Sequence, residues 1–218
     1  MAEIDAIRRE VCALHAELPR NGLVVWTAGN VSARIPGEDL MVIKASGVPY
    51  DELTPDAIVV CDLEGGLLEG SLQPSSDAQA HGYVYRSKPG VGGIAHTHSP
   101  YATAWAARGE PIPCVLTAMA DEFGGEIPLA PLAPIGGDDI GRAIVGALDG
   151  HRSPAVLLRG HGVFALGAGP REAVKAVVMC EDAARTVHLA RALGELEPLP
   201  PASIDALHHR YQNVYGQR

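Results

Sequence analysis

This sequence lacks an excess of basic residues: 26 Asp and Glu outnumber 17 Lys and Arg, for a formal net charge of −9 with histidine neutral. Binding duplex nucleic acid needs a cationic face to displace counterions, so nucleic acid is excluded as the expected partner. There is no apolar run long enough to cross a bilayer, which excludes a membrane-spanning helix from the reading. The first ten residues, MAEIDAIRRE, carry charges where a secretory signal has its apolar segment, and a cytoplasmic location is expected. The four cysteines, Cys12, Cys61, Cys114 and Cys180, form no CxxC pair and read as buried free thiols of a reducing compartment. No internal repeat or low-complexity tract is present; the 25 Gly and 17 Pro fall between periodic segments. With 218 residues, 47% hydrophobic and 20% charged, the chain is expected to form one domain over residues 1–218 with a sizeable core.

What is present begins with periodicity. Ile4, Ile7, Val11, Leu14 and Leu18 recur at 3-4-3-4 spacing and predict an amphipathic helix over 3–18, stopped by Pro19. Short strands are predicted at 23–26, 31–34, 40–43 and 57–61, the last turning back through Glu64-Gly65-Gly66 into Leu67-Leu68. Helices are predicted over 78–86, from Ser99-Pro100 to near Gly109, from Asp138 or Asp139 to Leu148, and from Pro170 to near Gly194. Strands are predicted over 91–97, 155–158 and 163–166, with extended segments at 112–116 and 126–129. A proline-rich break at 197–201 precedes a short terminal helix. Hairpin links mixed with helical crossovers predict an α/β fold with a mixed or largely antiparallel sheet.

His96 and His98 stand two apart within a predicted strand. Side chains alternate with period two, so Ile94, His96 and His98 share a face and both imidazoles can converge on one ion. Imidazole suits zinc, manganese, cobalt or iron, and a third histidine leaves positions open for substrate. Among nine histidines, His15, His81, His151, His188, His208 and His209 compete with His161 for the third place. His161 is favoured because Gly160 and Gly162 let the backbone bend sharply and turn the ring into a crevice. His15 and His188 lie mid-helix and read as surface or packing residues. Asp77 has two readings: a carboxylate that completes the metal set and exchanges protons, or an ordinary helix N-cap.

Ser75 and Ser76 precede a helix with hydroxyls and free backbone N–H groups, an arrangement suited to an anion. Lys44-Ala45-Ser46-Gly47 follows a strand and supplies a cation, a hydroxyl and a flexible amide in a row. Gly29-Asn30 adds a third polar loop. An acidic protein that binds a phosphorylated metabolite must reverse its charge locally, and these loops do so. Together with the histidines they point to a divalent-metal enzyme acting on a sugar phosphate.

Thr27-Ala28-Gly29-Asn30-Val31-Ser32, Ile43-Lys44-Ala45-Ser46-Gly47-Val48, Pro74-Ser75-Ser76-Asp77, Gly92-Gly93-Ile94-Ala95-His96-Thr97-His98-Ser99 and Gly160-His161-Gly162-Val163-Phe164 occur in this order. The set resembles the class II aldolase/adducin superfamily and spans residues 22–167. Asp121 within Thr117-Ala118-Met119-Ala120-Asp121, and the ending Tyr215-Gly216-Gln217, are similar to the branch that epimerises L-ribulose 5-phosphate at C4. The resemblance implies a three-layer α/β/α subunit on a central mixed, largely antiparallel sheet, in a cyclic homotetramer with active sites between neighbours. It implies Zn²⁺ bound by His96, His98 and His161, with Asp77 in or beside that shell; Mn²⁺ and Co²⁺ suit the same ligands. It puts the substrate phosphate near Gly29, Asn30, Ser46, Gly47, Ser75 and Ser76, with Lys44 a nearby cation. Asp121 and Tyr215, from an adjacent subunit, are its implied proton-transfer pair. Two departures stand out. Ala45 occupies a position where the family commonly has proline, which is expected to loosen the loop around it without removing a ligand. Residues 193–211 are shorter than the epimerase tail and leave His208, His209 or Arg210 as candidates for a further phosphate contact.

The implied reaction interconverts L-ribulose 5-phosphate and D-xylulose 5-phosphate. The hydrogen on C4 of a ketopentose phosphate is not acidic, so inversion goes by breaking C3–C4 to give an enediolate and glycolaldehyde phosphate. The aldehyde turns and is attacked on its opposite face; one group takes the C4 hydroxyl proton and another returns it. The chief alternative is a class II aldolase of the L-fuculose-phosphate type, which stops after cleavage and typically has glutamate at the position of Asp77. A non-enzymatic adducin-like interaction module is the other, and it predicts loss of the metal histidines, all of which are present.

Overall fold

The computed structural model describes residues 2–214. Its strands are β1 (Asn30–Arg34), β2 (Leu40–Lys44), β3 (Ile58–Asp62), β4 (Leu67–Glu69), β5 (Gly93–Thr97), β6 (Leu129–Ala130), β7 (Ala155–Leu158) and β8 (Gly162–Gly167). Its helices are α1 (Ala2–His15), α2 (Glu17–Arg20), α3 (Ala78–Ser87), α4 (Pro100–Arg108), α5 (Thr117–Phe123), α6 (Asp139–Ala147), α7 (Pro170–Leu193) and α8 (Pro201–Asn213). The strands join in one sheet of order β4-β3-β2-β1-β5-β8-β7-β6. Every pairing is antiparallel except β6 with β7, so the sheet is mixed and largely antiparallel, as expected.

Strand alternation sorts the core into two layers. Val31, Ala33, Val42, Ala95, Val163 and Ala165 face one side, where they pack with residues of α1, α4, α5 and α7. Met41, Ile43, Ile94, Phe164 and Leu166 face the other, against α3 and α6. Helices therefore cover both faces, which gives three layers, α/β/α. His96 lies between Ala95 and Thr97 on β5, and the same alternation turns it toward the α3 side.

The amphipathic N-terminus divides at Ala16, and α2 takes Leu18 and Pro19 as a separate turn. A proline in the first turn of a helix lacks only an N–H that would have had no intrahelical acceptor, so Pro19 is accommodated there. Residues 23–26 are not a strand. Val25 and Trp26 are exposed and Trp26 has φ +59°. Both edges of β1, the strand that follows, are already taken by β2 and β5. The helix α5 is absent from the sequence-based reading, which runs from an extended segment at 112–116 to another at 126–129. Seven residues are too few to be helical on propensity alone; α5 is held by burial of Met119, Ala120 and Phe123 and ends at Gly124, φ +62°. Of the two extended segments, only the isolated bridge Ile112–Ile127 and the short β6 form ladder contacts.

His15 is completely buried and is not a surface residue. Its Nδ1 donates to the Val11 carbonyl, 2.7 Å, and its Nε2 accepts the Val31 backbone N–H, 2.9 Å. That pair of bonds requires the neutral ring. Burial lowers its pKa to about 3, against 6.5 for a free imidazole. The unfolded chain therefore binds a proton that the folded chain refuses. The resulting stability is fully present above about pH 6.5 and is lost as pH falls toward 3. Chemical denaturation between pH 6 and 4 is expected to show unfolding free energy falling by about 1.4 kcal/mol per pH unit for this histidine. His15→Gln should remove that part of the slope; an unchanged slope would show that His15 does not carry it.

Candidate active site

The sheet brings five separate segments to one end. Asn30 opens β1 and pairs in register with His96 on β5. Lys44 closes β2, and Ala45 bridges to Pro74 just before Ser75-Ser76-Asp77. His98 follows the end of β5, and His161 sits in the turn between β7 and β8. The turn behaves as its glycines suggest. Gly160 has φ +68°, and a Cβ on Gly162 would lie 2.4 Å from the Thr97 carbonyl oxygen. Gly29, at φ +80°, is equally constrained, because a Cβ there would meet the His96 carbonyl at 2.8 Å.

These segments enclose a cavity of about 230 Å³ lined by Thr27, Ala28, Gly29, Asn30, Lys44, Ala45, Ser46, Gly47, Ser75, Ser76, Asp77, His96, His98, Ile135 and His161. A larger depression of about 610 Å³, around Arg34, Asp39 and Gly169, contains none of the histidines.

His96 is buried; its Nδ1 donates to the Val163 carbonyl at 2.8 Å, which leaves Nε2 as a bare lone pair. That nitrogen faces His98 Nε2 at 3.0 Å, and one ligand atom from each of His96, His98 and His161 lies within 4.8 Å of the others. Burial lowers the His96 pKa to about 3 and also lowers those of His98 and His161, so all three rings are neutral at pH 7. Two nitrogens bound tetrahedrally to zinc at about 2.0–2.1 Å stand roughly 3.3 Å apart. The donor set therefore fits a single divalent ion.

Asp77 stands at the N-cap position of α3 but makes no capping bond. Its Oδ2 instead accepts from Asn30 Nδ2 at 2.8 Å and lies 3.9 Å from His96 Nε2. Ser75 Oγ accepts both the Asp77 backbone N–H, 3.3 Å, and Asn30 Nδ2, 3.0 Å. Burial would raise the Asp77 carboxyl, but the His96 and His81 rings and the Asn30 amide outweigh it, and its pKa stays below the usual carboxylate value. It is an ionised carboxylate beside the three histidines rather than a cap. Sequence could not separate the two readings, because the choice rests on Asn30, 47 residues away.

Lys44 is buried with its Nζ donating to the Ala45 carbonyl, 3.2 Å, and 5.6 Å from the Tyr50 ring centroid; burial lowers its pKa. The loop that follows is not loosened by Ala45. Ala45 N bonds Ala57 O at 2.8 Å, Ser46 N bonds Gln73 O at 2.9 Å, and Ser75 N bonds Lys44 O at 3.1 Å. Backbone pairing supplies the rigidity that a proline ring would give.

On the other side of β5, Glu181 of α7 accepts the Tyr101 and Ala102 backbone N–H groups, each at 2.9 Å. A carboxylate at a helix N-terminus is favourable, and this one fixes the start of α4 directly after His98-Ser99. Two further residues contribute beyond the candidate site residues. Ile135 reaches the cavity from the loop after β6, and Phe164 stacks on His96 with centroids 4.0 Å apart.

Asp121 does not line this cavity. It lies on α5, where Arg210 Nη2 is 3.5 Å from its Oδ2 and His208 Nδ1 is 3.1 Å from its carbonyl oxygen, while its Oδ1 is buried without a hydrogen-bond partner among the described residues. His209 bonds Asn213 on α8. Tyr215 lies outside the described residues. Among those residues, no helix is long and apolar enough to cross a membrane.

Residues 9–188 match the family described as Class II Aldolase and Adducin N-terminal domain. The chain is 38% identical over 199 residues to L-ribulose-5-phosphate 4-epimerase UlaF of Salmonella paratyphi B, covering 87% of each chain. It superposes on a solved L-fuculose 1-phosphate aldolase with a TM-score of 0.88 at 28% identity, covering 95% of this chain and 96% of that one. The L-fuculose-1-phosphate aldolase of Thermus thermophilus gives a TM-score of 0.73 at 27% identity, covering 92% of this chain and all of the other.

Proposed function

The chain belongs to the class II aldolase and adducin family, and from that premise we propose that it is an L-ribulose-5-phosphate 4-epimerase. It interconverts L-ribulose 5-phosphate and D-xylulose 5-phosphate by cleaving and re-forming C3–C4. The observation that carries this reading is the joining of a neutral three-histidine cluster and a polar loop cavity in a chain 38% identical to an epimerase. The 28% likeness to an L-fuculose 1-phosphate aldolase supports the aldolase as the second reading.

His96, His98 and His161 would hold Zn²⁺, for which Mn²⁺ or Co²⁺ could substitute, with Asp77 in or beside the shell. A divalent ion bound there supplies Lewis-acid stabilisation of the oxygen charge that develops as C3–C4 breaks. Ser46, Ser75 and Ser76 and the backbone of Gly29 and Gly47 hold the phosphate, Asn30 lies beside it and orients Ser75 and Asp77, and Lys44 offsets its charge. Holding the phosphate retains glycolaldehyde phosphate while its aldehyde turns, which separates an epimerase from an aldolase. Asp121 and Tyr215 exchange the C4 hydroxyl proton from opposite sides. Asp121 is not among the residues that line the cavity of its own chain and its side chain is partly exposed, so it is assigned to the cavity of a neighbour. The working form is a cyclic homotetramer of chains, each a single domain over residues 1–218, in the cytoplasm.

Incubation with L-ribulose 5-phosphate, with products resolved chromatographically, tests the proposal. Formation of D-xylulose 5-phosphate without net fragments is expected. Release of dihydroxyacetone and glycolaldehyde phosphate without epimer would transfer the case to the aldolase.

A further inference from the structure

Tyr50 opens a single 3₁₀ turn, Tyr50–Glu52, in the connection between β2 and β3. Its hydroxyl donates to the Ala28 carbonyl at 2.9 Å, with the Gly29 carbonyl 3.2 Å away. Carbonyl oxygens only accept, so the direction of these contacts is fixed. The Lys44 ammonium stands over the face of the same ring, Nζ 5.6 Å from its centroid, within the range of a cation–π contact. One side chain therefore ties residues 28–29 to the end of β2. Ala28, Gly29 and Lys44 all line the cavity, and Tyr50 is not among the lining residues.

Both contacts bear on groups that an anion uses. No described peptide bond is cis, and a trans peptide directs its N–H opposite to its C=O. Holding the Ala28 carbonyl against Tyr50 thus turns the Gly29 N–H away from the tyrosine. Lys44 is 2% exposed, and among the described residues its ammonium bonds only the Ala45 carbonyl, with no carboxylate paired to it. A buried cation is costly unless it is compensated. The ring face supplies part of that compensation and leaves ammonium donors for an anion. A phenyl ring would pack in the same space, but it would leave the two carbonyls unheld.

We propose that Tyr50 is a positioning residue for the phosphate site. Its hydroxyl sets the backbone at Ala28–Gly29 and its ring sets the Lys44 ammonium, so that both meet the phosphate of the sugar together. It acts through these two partners and not by contact with the substrate.

The proposal rests on the sugar-phosphate reading, and its test uses inorganic phosphate alone, titrated calorimetrically into the zinc-loaded protein. Tyr50→Phe keeps the ring and removes the hydroxyl; it is expected to weaken phosphate binding about 3–10-fold, the size of one lost hydrogen bond. Tyr50→Leu removes the ring as well and should weaken binding about 10–30-fold. Zinc content should match the wild type in both. KM for L-ribulose 5-phosphate should rise with little change in kcat, the sign of lost binding rather than lost chemistry. In a Lys44→Met background the ring has no cation to hold, so Tyr50→Leu should lose no more than Tyr50→Phe. Wild-type phosphate affinity in Tyr50→Phe overturns the proposal, and Tyr50→Leu decides by the same criterion if the phenylalanine variant does not fold. Parallel losses of zinc and phosphate assign the residue to packing and overturn it too, as does a further loss from the leucine variant when Lys44 is already absent. Failure here leaves the epimerase reading standing; weakened phosphate binding without epimer product would fault that reading and spare this one.

Discussion

Exhaustive chelation is expected to abolish epimerisation of L-ribulose 5-phosphate, with activity returning on addition of Zn²⁺, Mn²⁺ or Co²⁺. His96→Ala should lose it even with zinc resupplied. His96 is the buried member of the three, with one nitrogen fixed by the Val163 carbonyl and the other directed at His98. No other described side chain stands at that position on β5 to replace its lone pair. A bound cation supplies several kcal/mol of transition-state charge stabilisation, so the loss should be about 10³-fold or more. Metal content by elemental analysis, read beside turnover, checks both halves. Full turnover in exhaustively chelated protein would end the metal reading, whatever the histidines look like.

Asp121→Asn and Tyr215→Phe are expected to impair epimerisation by about 10²–10⁴-fold each, the range for a lost proton-transfer group, while zinc content stays normal. Asp121 is held on α5 by Arg210 and His208 and is not among the residues that line the cavity of its own chain. The two kinds of lesion can therefore be combined. In mixed oligomers made by co-expressing His96→Ala and Asp121→Asn chains in equal amounts, about a quarter of the sites would join an intact cluster to an intact Asp121 of a neighbour. Recovery to roughly that fraction is expected by the same assay. Mixtures as inactive as their components would place Asp121 outside a shared site, and wild-type rates in both single variants would remove the proton-transfer roles altogether.

Much of the fold was legible because its elements carry their own periodicity. The strands β2, β3, β7 and β8 and the helices α3, α4, α6 and α7 each present a repeat or a Gly or Pro boundary within a dozen or so residues. The failures share one cause. Residues 23–26 look like a strand locally but find no free neighbour beside β1, and α5 is too short to declare itself without the helices it packs on. A similar limit applies to His15: its helical position leaves a surface and a packing role equally open, and only the approach of Val31, which gives Nε2 a backbone donor, decides for packing.

Residue chemistry and short-range order set the donor types in advance: two imidazoles on alternate positions of a strand, a third between glycines, hydroxyls and a lysine in loops. These properties belong to segments of a few residues and survive without knowledge of the rest of the chain. Tertiary structure alone decided which segments meet. It turned Asp77 from a helix cap to a partner of Asn30, brought Ile135 and Phe164 to the cavity and its histidines, and left Asp121 out of the cavity lining. The physical reason is that pairing across a sheet and packing of helices on it join residues tens of positions apart, and a local pattern records which face a side chain takes but not what will stand opposite it.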